Sequence, residues 1–350
     1  MIDHEELLTR RGERSGLPMV IAVHSTALGP ALGGCRMWHY EGDGDGIEDA
    51  LCLARAMTLK AAAAGLDLGG GKGVICLPDG APTAKQRRAA LLDFADAVES
   101  LEGRYITAED VGTGAEDAAV IAERTGHVVG LPPALGGRGD PSPLTARGVE
   151  RAIGSCCSHR FGSPELEGLR VCVVGLGHVG SALVGRLAAG GAELLVSDID
   201  PSRCAQAERL GARWVDPEAA VLAECDVLAP CALGGAVNEA NADALRCQIV
   251  CGAANNVLAD EALVRRLDGR GIVYAPDFIA NAGGLIHVYA DLHGYDSARV
   301  DDLVDSIGDT MRRVLLEAEE DGTTPLEAAR ELARRRLRGD LAGVRDWAHA

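Results

Sequence analysis

A chain of 350 residues with a formal net charge of −18 is too long for one compact core and is read as two domains. The acidity excludes a nucleic-acid binder, which needs a basic face to displace counterions, and a hydrophobic content of 47% excludes a disordered chain. No apolar run reaches the roughly 18 residues of a membrane span. The charged start, MIDHEELLTRRGERSG, lacks an apolar signal core, so a cytoplasmic protein is expected.

The first third reads as mixed α/β. PMVIAVHS (18–25) is a strand, and Ile47 to Ala64 carries apolar residues on helical spacing. GVICLP (73–78) is a strand, residues 84–100 form an amphipathic helix, and residues 103–114 give a short strand running into a loop. LPPALGGRGDPSPLTARG (131–148) is dense in Gly and Pro and marks a hinge or boundary. From Gly168 the rhythm becomes regular strand–helix alternation through LRVCVVGLG, AELLVSDID, CDVLAP, QIVCGAAN and GIVYAPD. That pattern indicates a parallel sheet covered on both faces. The tail from about 296 to 337 is helical. The expected division is 1–135, a substrate, catalytic and oligomerisation domain; 136–325, a doubly wound dinucleotide-binding domain; and 326–350, a helical tail packing back on the first. The eleven cysteines contain no CxxC pair, so reduced core thiols and no metal site are expected.

Two glycine motifs need separate readings. In LGGGKG (68–73) a phosphate loop would require Gly at 66 and Ser or Thr at 73; these positions hold Leu66 and Gly73, so that reading fails. VCVVGLGHVGSAL places Gly175, Gly177 and Gly180 in GxGxxG spacing after a strand and at the opening of a helix. The glycines allow the tight turn, the backbone approach to a pyrophosphate and close helix–strand packing, and the helix N-terminus offers free N–H groups. Asp198 ends the next strand about 20 residues on, as for hydrogen bonds to the ribose of NAD. Its charge opposes a 2′-phosphate, an argument that nearby Arg203 weakens slightly. Asp200, before Pro201, reads as a helix cap.

The segments LGPALGGCRMW (28–38), MTLKAAAAGLDLGGGKGVI (57–75), RYITAEDVGT (104–113), GDPSPLTARGV (139–149), APCALGG (229–235), GAANN (252–256) and YAPDFIANAGG (274–284) follow in order. Together they closely resemble the leucine/valine/phenylalanine dehydrogenases of the glutamate dehydrogenase superfamily, over roughly residues 18 to 330. The resemblance implies two α/β domains with the active site in the cleft between them, a homo-oligomer, NAD as cofactor, and reversible oxidative deamination of an L-amino acid. It implies that Lys60 pairs with the substrate carboxylate, that Lys72 is the general base and acid, and that Asp110 shuttles protons with it. Gly33 and Gly34 match the backbone approach to the carboxylate. Asn255 matches an amide contact to the substrate, and Ser142, Thr145 and Asn281 fall at the nicotinamide end, where Ser142 and Thr145 serve equally as helix caps and Asn281 as a helix start. An ordinary lysine, with a pKa of about 10.4, is a poor base near neutral pH; burial and a second cation lower it. Solvated surface lysines are the bland alternative, but the chain has few lysines, and Lys72 is enclosed by apolar sequence.

The side-chain pocket positions match Leu32, Ala108, Leu285 and Val288. All are aliphatic, so a γ-carboxylate has no partner and glutamate is disfavoured. Ala108 favours branched-chain substrates, leucine or valine, over aromatic ones, and Cys35, where leucine enzymes often have threonine, points the other way. Phenylalanine is the alternative substrate. The alternative functions are a hydroxy-acid dehydrogenase, which would need a histidine–acid pair and could use Arg36 for its substrate, and a non-catalytic NAD-binding sensor.

Overall fold

The computed structural model describes residues 3–42, 44–78 and 80–340. It divides into two compact units. The first comprises the chain up to Gly139, Val288–Tyr295 and the residues from Ala333 on; the second comprises Asp140–His287 and Asp296–Leu332.

The first unit is built on a five-stranded mixed sheet. Its strands are β1 (Glu6–Arg11), β2 (Pro18–Ser25), β3 (Ala31–His39), β4 (Gly69–Leu77) and β5 (Tyr105–Glu109), in the order β1-β2-β4-β3-β5. β3 runs parallel to both β4 and β5, and β2 is antiparallel to β1 and β4. Helix α1 (Asp45–Ala63) makes the crossover from β3 to β4 and covers one face; α2 (Ala84–Glu99) and α3 (Ala115–Ile121) cover the other. The period of two in the strands divides the core accordingly. Val20, Ala22 and Val74 pack under Ala50 and Ala54 of α1. Met19, Ile21, Cys35, Met37 and Ile75 pack against Phe94 and its neighbours on α2. α2 starts with a capping box, Thr83 with Gln86, which satisfies two of the helix's otherwise unpaired donors.

The glycine run before Lys72 is strand, because β4 begins at Gly69, four residues before the expected strand start. Its glycines are demanded by what crosses the sheet. A methyl group at Gly70 would overlap the backbone of Thr58 and Ala54 on α1, and one at Gly71 or Gly73 would overlap the rings of Tyr105 or Phe94. Two strands had no clear sequence signal: β1, in a segment read only as charged, and β3, interrupted by Gly33 and Gly34.

The second unit holds a six-stranded parallel sheet: β6 (Arg170–Val174), β7 (Glu193–Ser197), β8 (Arg213–Trp214), β9 (Val227–Pro230), β10 (Ile249–Val250) and β11 (Val273–Tyr274), in the order β11-β10-β9-β6-β7-β8. The order reverses beside β6, as in doubly wound dinucleotide folds. The five alternating strands expected here are β6, β7, β9, β10 and β11; the two-residue β8 gave no signal. Long helices α4 (Ser142–Phe161) and α5 (His178–Ala189) are followed by shorter ones: α6 (Cys204–Arg209), α7 (Pro217–Ala220), α8 (Leu263–Gly269) and α9 (Asp277–Ala280). Then come α10 (Gly283–His293), α11 (Ser297–Asp321) and α12 (Pro325–Arg338). α4 lies on α11, where Arg147 and Arg151 both pair with Asp305. The helical tail is thus two helices, separated where Gly322 takes the left-handed conformation that ends α11. All eleven cysteines are free thiols. Among the described residues, no helix is long and apolar enough to cross a membrane, and no three His, Cys, Asp or Glu side chains are grouped to hold a metal.

Candidate active site

Strand register aligns the first unit's candidates into two rungs on the α1 face of the sheet. Ala22 pairs with Lys72 on β2 and β4, and Gly34 pairs with Ala108 on β3 and β5. Because Leu32 pairs with Gly70 and Cys35 with Gly73, Gly34 lies opposite Lys72. The same register sets Arg36, which pairs with Val74, opposite the residue after β5, Asp110. Lys72 therefore reaches diagonally across a bare strand position, and its Nζ lies 2.9 Å from Asp110 Oδ2. A methyl group at Gly34 would overlap the Glu109 carbonyl and lie 2.8 Å from Asp110 Cβ, so the glycine makes room for the carboxylate. At Gly33 the demand comes from the sheet itself: a side chain would overlap the Gly71 carbonyl, and the Gly33 carbonyl accepts a hydrogen bond from the Tyr105 hydroxyl at 2.5 Å.

Asp110 is held by the loop that follows it. Its amide donates to Thr113 Oγ1, and that hydroxyl donates to the Cys35 carbonyl at 2.7 Å. Gly112 takes a φ of 82°, where a side chain would also strike the Met37 carbonyl. Arg87 braces the loop from α2, donating to the Gly112 carbonyl and pairing with Asp117.

Lys72 is only 5% exposed. Burial pushes its pKa below the ordinary lysine value; Asp110 opposes that shift, and the nearby Arg36 guanidinium adds to it. Burial alone would raise Asp110, but Lys72 and Arg36 outweigh it and hold the carboxyl below its usual range. The pair is thus an ionised carboxylate beside an amine that gives up its proton more readily than an exposed lysine.

Arg36 donates through Nε to Asp110 Oδ2 at 2.9 Å, and Asp49 and Tyr40 extend the network behind it. The sequence offers Arg36 only as a substrate contact for a different reaction and gives no role to Asp49 or Tyr40. The available signal was the alternation in β3, which places Leu32, Gly34 and Arg36 on one face. Leu32 and Ala108 are both buried on that face. Cys35 faces the other way, into the α2 core, fully buried. It therefore reports packing beneath the sheet and carries no weight in choosing between aliphatic and aromatic substrates. Lys60 is half-buried in the last turn of α1, next to the turn that crosses β4 at Gly70. Leu285 and Val288 lie on α10, the first buried and counted in the second unit, the second half-buried and counted in the first.

In the second unit, the candidate cofactor residues lie between β6 and the start of α5, at the end of β7, in the first turn of α4 and at the end of α9. Gly175 has a φ of 106°, and Gly180 packs where a side chain would overlap the Gly175 carbonyl. Gly177 is the N-cap of α5, with no capping side chain and open space where a Cβ would project. That helix end leaves its N–H groups and dipole for an anion. Asp198 accepts hydrogen bonds from the Leu176 and Asp200 amides at 2.6 and 2.9 Å. Asp200 caps the turn after Pro201. Arg203 donates to the Leu176 carbonyl and lies 3.9 Å from both Asp198 and Asp200. Asn281 donates to Asn255 Oδ1 at 2.8 Å and to the Ala253 carbonyl, while its own Oδ1 is buried without a partner. Thr145 turns its hydroxyl back onto the Pro141 carbonyl, and Ser142 begins α4 without capping it through its side chain. The NAGG segment is the entry to α10, where a Cβ at Gly284 would lie 3.0 Å from Thr145 Oγ1. An uncapped helix end, an acid at the next strand and an orphaned buried amide oxygen fit a dinucleotide.

A family model described as "Glu/Leu/Phe/Val dehydrogenase, dimerisation domain" matches residues 5–127, and "Glutamate/Leucine/Phenylalanine/Valine dehydrogenase" matches residues 202–339. The NAD-binding domain of the D-isomer-specific 2-hydroxyacid dehydrogenases matches only residues 149–233, the segment that holds the GxGxxG loop. Leucine dehydrogenase from Thermoactinomyces intermedius is 44% identical over 336 residues, covering 96% of this chain and 91% of that protein. Valine dehydrogenase from Streptomyces coelicolor is 42% identical, covering 95% and 92%. The crystal structure of L-tryptophan dehydrogenase from Nostoc punctiforme superposes with a TM-score of 0.85 at 37% identity, covering 97% of each chain. The chain belongs to the glutamate/leucine/phenylalanine/valine dehydrogenase family and is an NAD(P)-dependent amino acid dehydrogenase of that family.

Proposed function

We propose that the enzyme catalyses the reversible, NAD-dependent oxidative deamination of a branched-chain aliphatic L-amino acid, leucine or valine. The observation that carries this reading is the buried Lys72–Asp110 pair at 2.9 Å on a sheet face that also bears Leu32 and Ala108. Bound NAD would supply the hydride acceptor that turns the substrate amine into an imine. Water then adds to the resulting imine carbon. Lys72, neutral at that moment, takes the proton from the water and returns it to the departing nitrogen, with Asp110 as its partner. The hydroxyl of the carbinolamine then gives its proton to the Lys72–Asp110 pair as ammonia leaves, and the carbonyl of the 2-oxo acid forms. Lys60 pairs with the substrate carboxylate, Gly33 and Gly34 keep β3 bare beside it, and Asn255 contacts the substrate. Leu32, Ala108, Leu285 and Val288, the residues proposed to receive the substrate side chain, are all aliphatic, and none of them offers a cation to a second carboxylate.

On the cofactor side, Gly175, Gly177 and Gly180 would hold the pyrophosphate at the start of α5, and Ser142, Thr145 and Asn281 would serve the nicotinamide end. Asp198 would take the adenosine ribose, which favours NAD over NADP. The match to a dimerisation-domain model supports a homo-oligomer formed through the first unit, and the family supports a cytoplasmic setting.

The test is absorbance at 340 nm with NAD and with NADP, across valine, leucine, isoleucine, phenylalanine, tryptophan and glutamate. Turnover of the aliphatic amino acids with NAD, lost in Lys72→Ala, is expected. Turnover of phenylalanine or tryptophan in their place would keep the chemistry and overturn the pocket reading. No turnover of any of them would overturn the proposal.

A further inference from the structure

The chemistry above gives Arg36 no task, although it touches the reacting pair. Its Nε donates to Asp110 Oδ2 at 2.9 Å, the same oxygen that Lys72 Nζ meets. Its NH1 spans to both oxygens of Asp49, at 3.2 and 2.9 Å. Asp49 accepts a further hydrogen bond from the Tyr40 hydroxyl at 2.6 Å. The side chains of Arg36, Asp49 and Asp110 are each about a quarter exposed, so solvent screens these pairs less than surface ones.

We propose that Arg36 is a positioning residue for the deamination: anchored on Asp49 and Tyr40, it holds the Asp110 carboxylate against Lys72 and keeps it ionised when Lys72 is neutral. This rests on the reading of Lys72 and Asp110 given above. The need for such a group is electrostatic. When Lys72 gives up its proton, Asp110 loses that counter-ion, and a partly buried carboxylate left without one is destabilised. Arginine stays charged throughout the accessible pH range, and its planar fork can bridge two carboxylates, which a lysine cannot do as well. Among the described residues, the charged and titratable groups acting on Lys72 are Asp110 from the loop after β5 and Arg36 and Cys35 from β3, with Asp49 of α1 behind Arg36. Removing Arg36 takes away a cation that opposes a proton on Lys72 and frees Asp110 to favour one. Both effects act in the same direction.

The experiment compares Arg36→Met and Arg36→Lys with wild type by the pH profile of kcat/KM for leucine. It is paired with an NMR titration of the protein carrying 13C at lysine Cε. The chain has three lysines, Lys60, Lys72 and Lys85, so Lys72 is assigned by Lys60→Arg and Lys85→Arg. In Arg36→Met the acid limb and the Lys72 titration are both expected to move to higher pH by on the order of one unit. Neutral-pH kcat/KM is expected to fall about 10²-fold. Arg36→Lys keeps the charge, so its acid limb should stay near wild type while kcat remains low. An Arg36→Met enzyme with an unmoved acid limb and an unmoved Lys72 titration would overturn the proposal. Should that variant fail to fold, Asp49→Asn decides: wild-type kcat/KM there means that the anchor does nothing and the proposal falls. If the wild type turned over no amino acid, the proposed function would fall on its own, and the Lys72 titration would still decide whether Arg36 acts on the pair.

Discussion

Lys72 is one of three lysines among 34 basic side chains, and it is buried. A chain that uses arginine for nearly all of its other cations keeps lysine at the position proposed as the general base, where the cation must be able to disappear. Arginine does not lose its proton in proteins. Lys72→Arg is therefore expected to fold yet lose about 10²–10⁴ in kcat, the usual contribution of a general base. The pH dependence follows from the direction of the shift. Burial lowers the Lys72 pKa, so deamination rises with pH through a value below the ordinary lysine range and then levels off. A profile whose acid limb sits at the ordinary lysine value of about 10.4 would sink the assignment. Gly34 belongs to the same scale. A single missing Cβ lets one side chain cross a strand and another fill the space beside it, which is why the glycine pair in LGGC could be noticed in the sequence without its purpose being legible.

At the scale of elements, α1 does two things. Its middle packs Ala50 and Ala54 on the sheet, and its last turn carries Lys60. That turn is tied down from far along the chain. Arg336 of α12, 9% exposed, donates to the carbonyls of Ala61, Ala62 and Leu66 and pairs with Asp67 at 2.8 Å. A guanidinium at a helix C-terminus satisfies free carbonyls and meets the negative end of the dipole. Arg336→Ala is expected to cost about 2–4 kcal/mol, since buried acceptors lose a charged donor. It should lower the melting temperature and raise KM for the amino acid more than it lowers kcat, because Lys60 sits in the loosened turn. Unchanged melting and KM would show that the tie is idle. Periodicity made α1, α2 and the alternating strands of the second unit readable. It did not reveal β1, whose exposed half is charged, or the split of the tail into α11 and α12.

The whole molecule carries 52 acidic residues, several of them bound into the fold. Asp93, Asp110 and Asp305 each lose some ease of ionisation to burial. Each is nonetheless held below the usual aspartate pKa, by hydrogen bonds from Ser15 and Arg14 for Asp93, by Lys72 and Arg36 for Asp110, and by Arg147 and Arg151 for Asp305. A carboxylate with a depressed folded pKa contributes stability that is complete above its unfolded value, about 3.9, and is lost as pH falls through the folded value. Unfolding monitored by circular dichroism should therefore begin below about pH 4, and these three carboxylates add no change in stability between pH 5 and 7. Full stability at pH 2.5 would contradict the ion-pair readings.

The sequence by itself determined the class of the fold and the GxGxxG loop around Gly175, because these depend on local spacing: period two, period 3.6, and glycines at fixed offsets before a helix; the family was legible only through the resemblance of seven ordered segments. It also singled out Lys72 and Asp110 through the wording of their segments. Only the tertiary structure decided what those residues touch. Lys72, Gly34 and Asp110 belong to three strands or strand ends far apart in the chain, and parallel register alone puts them on adjacent rungs. The same register turns Cys35 away from the site and Arg36 into it. One residue of offset reverses the face on which a strand side chain lies, and no property of the isolated segment fixes that offset.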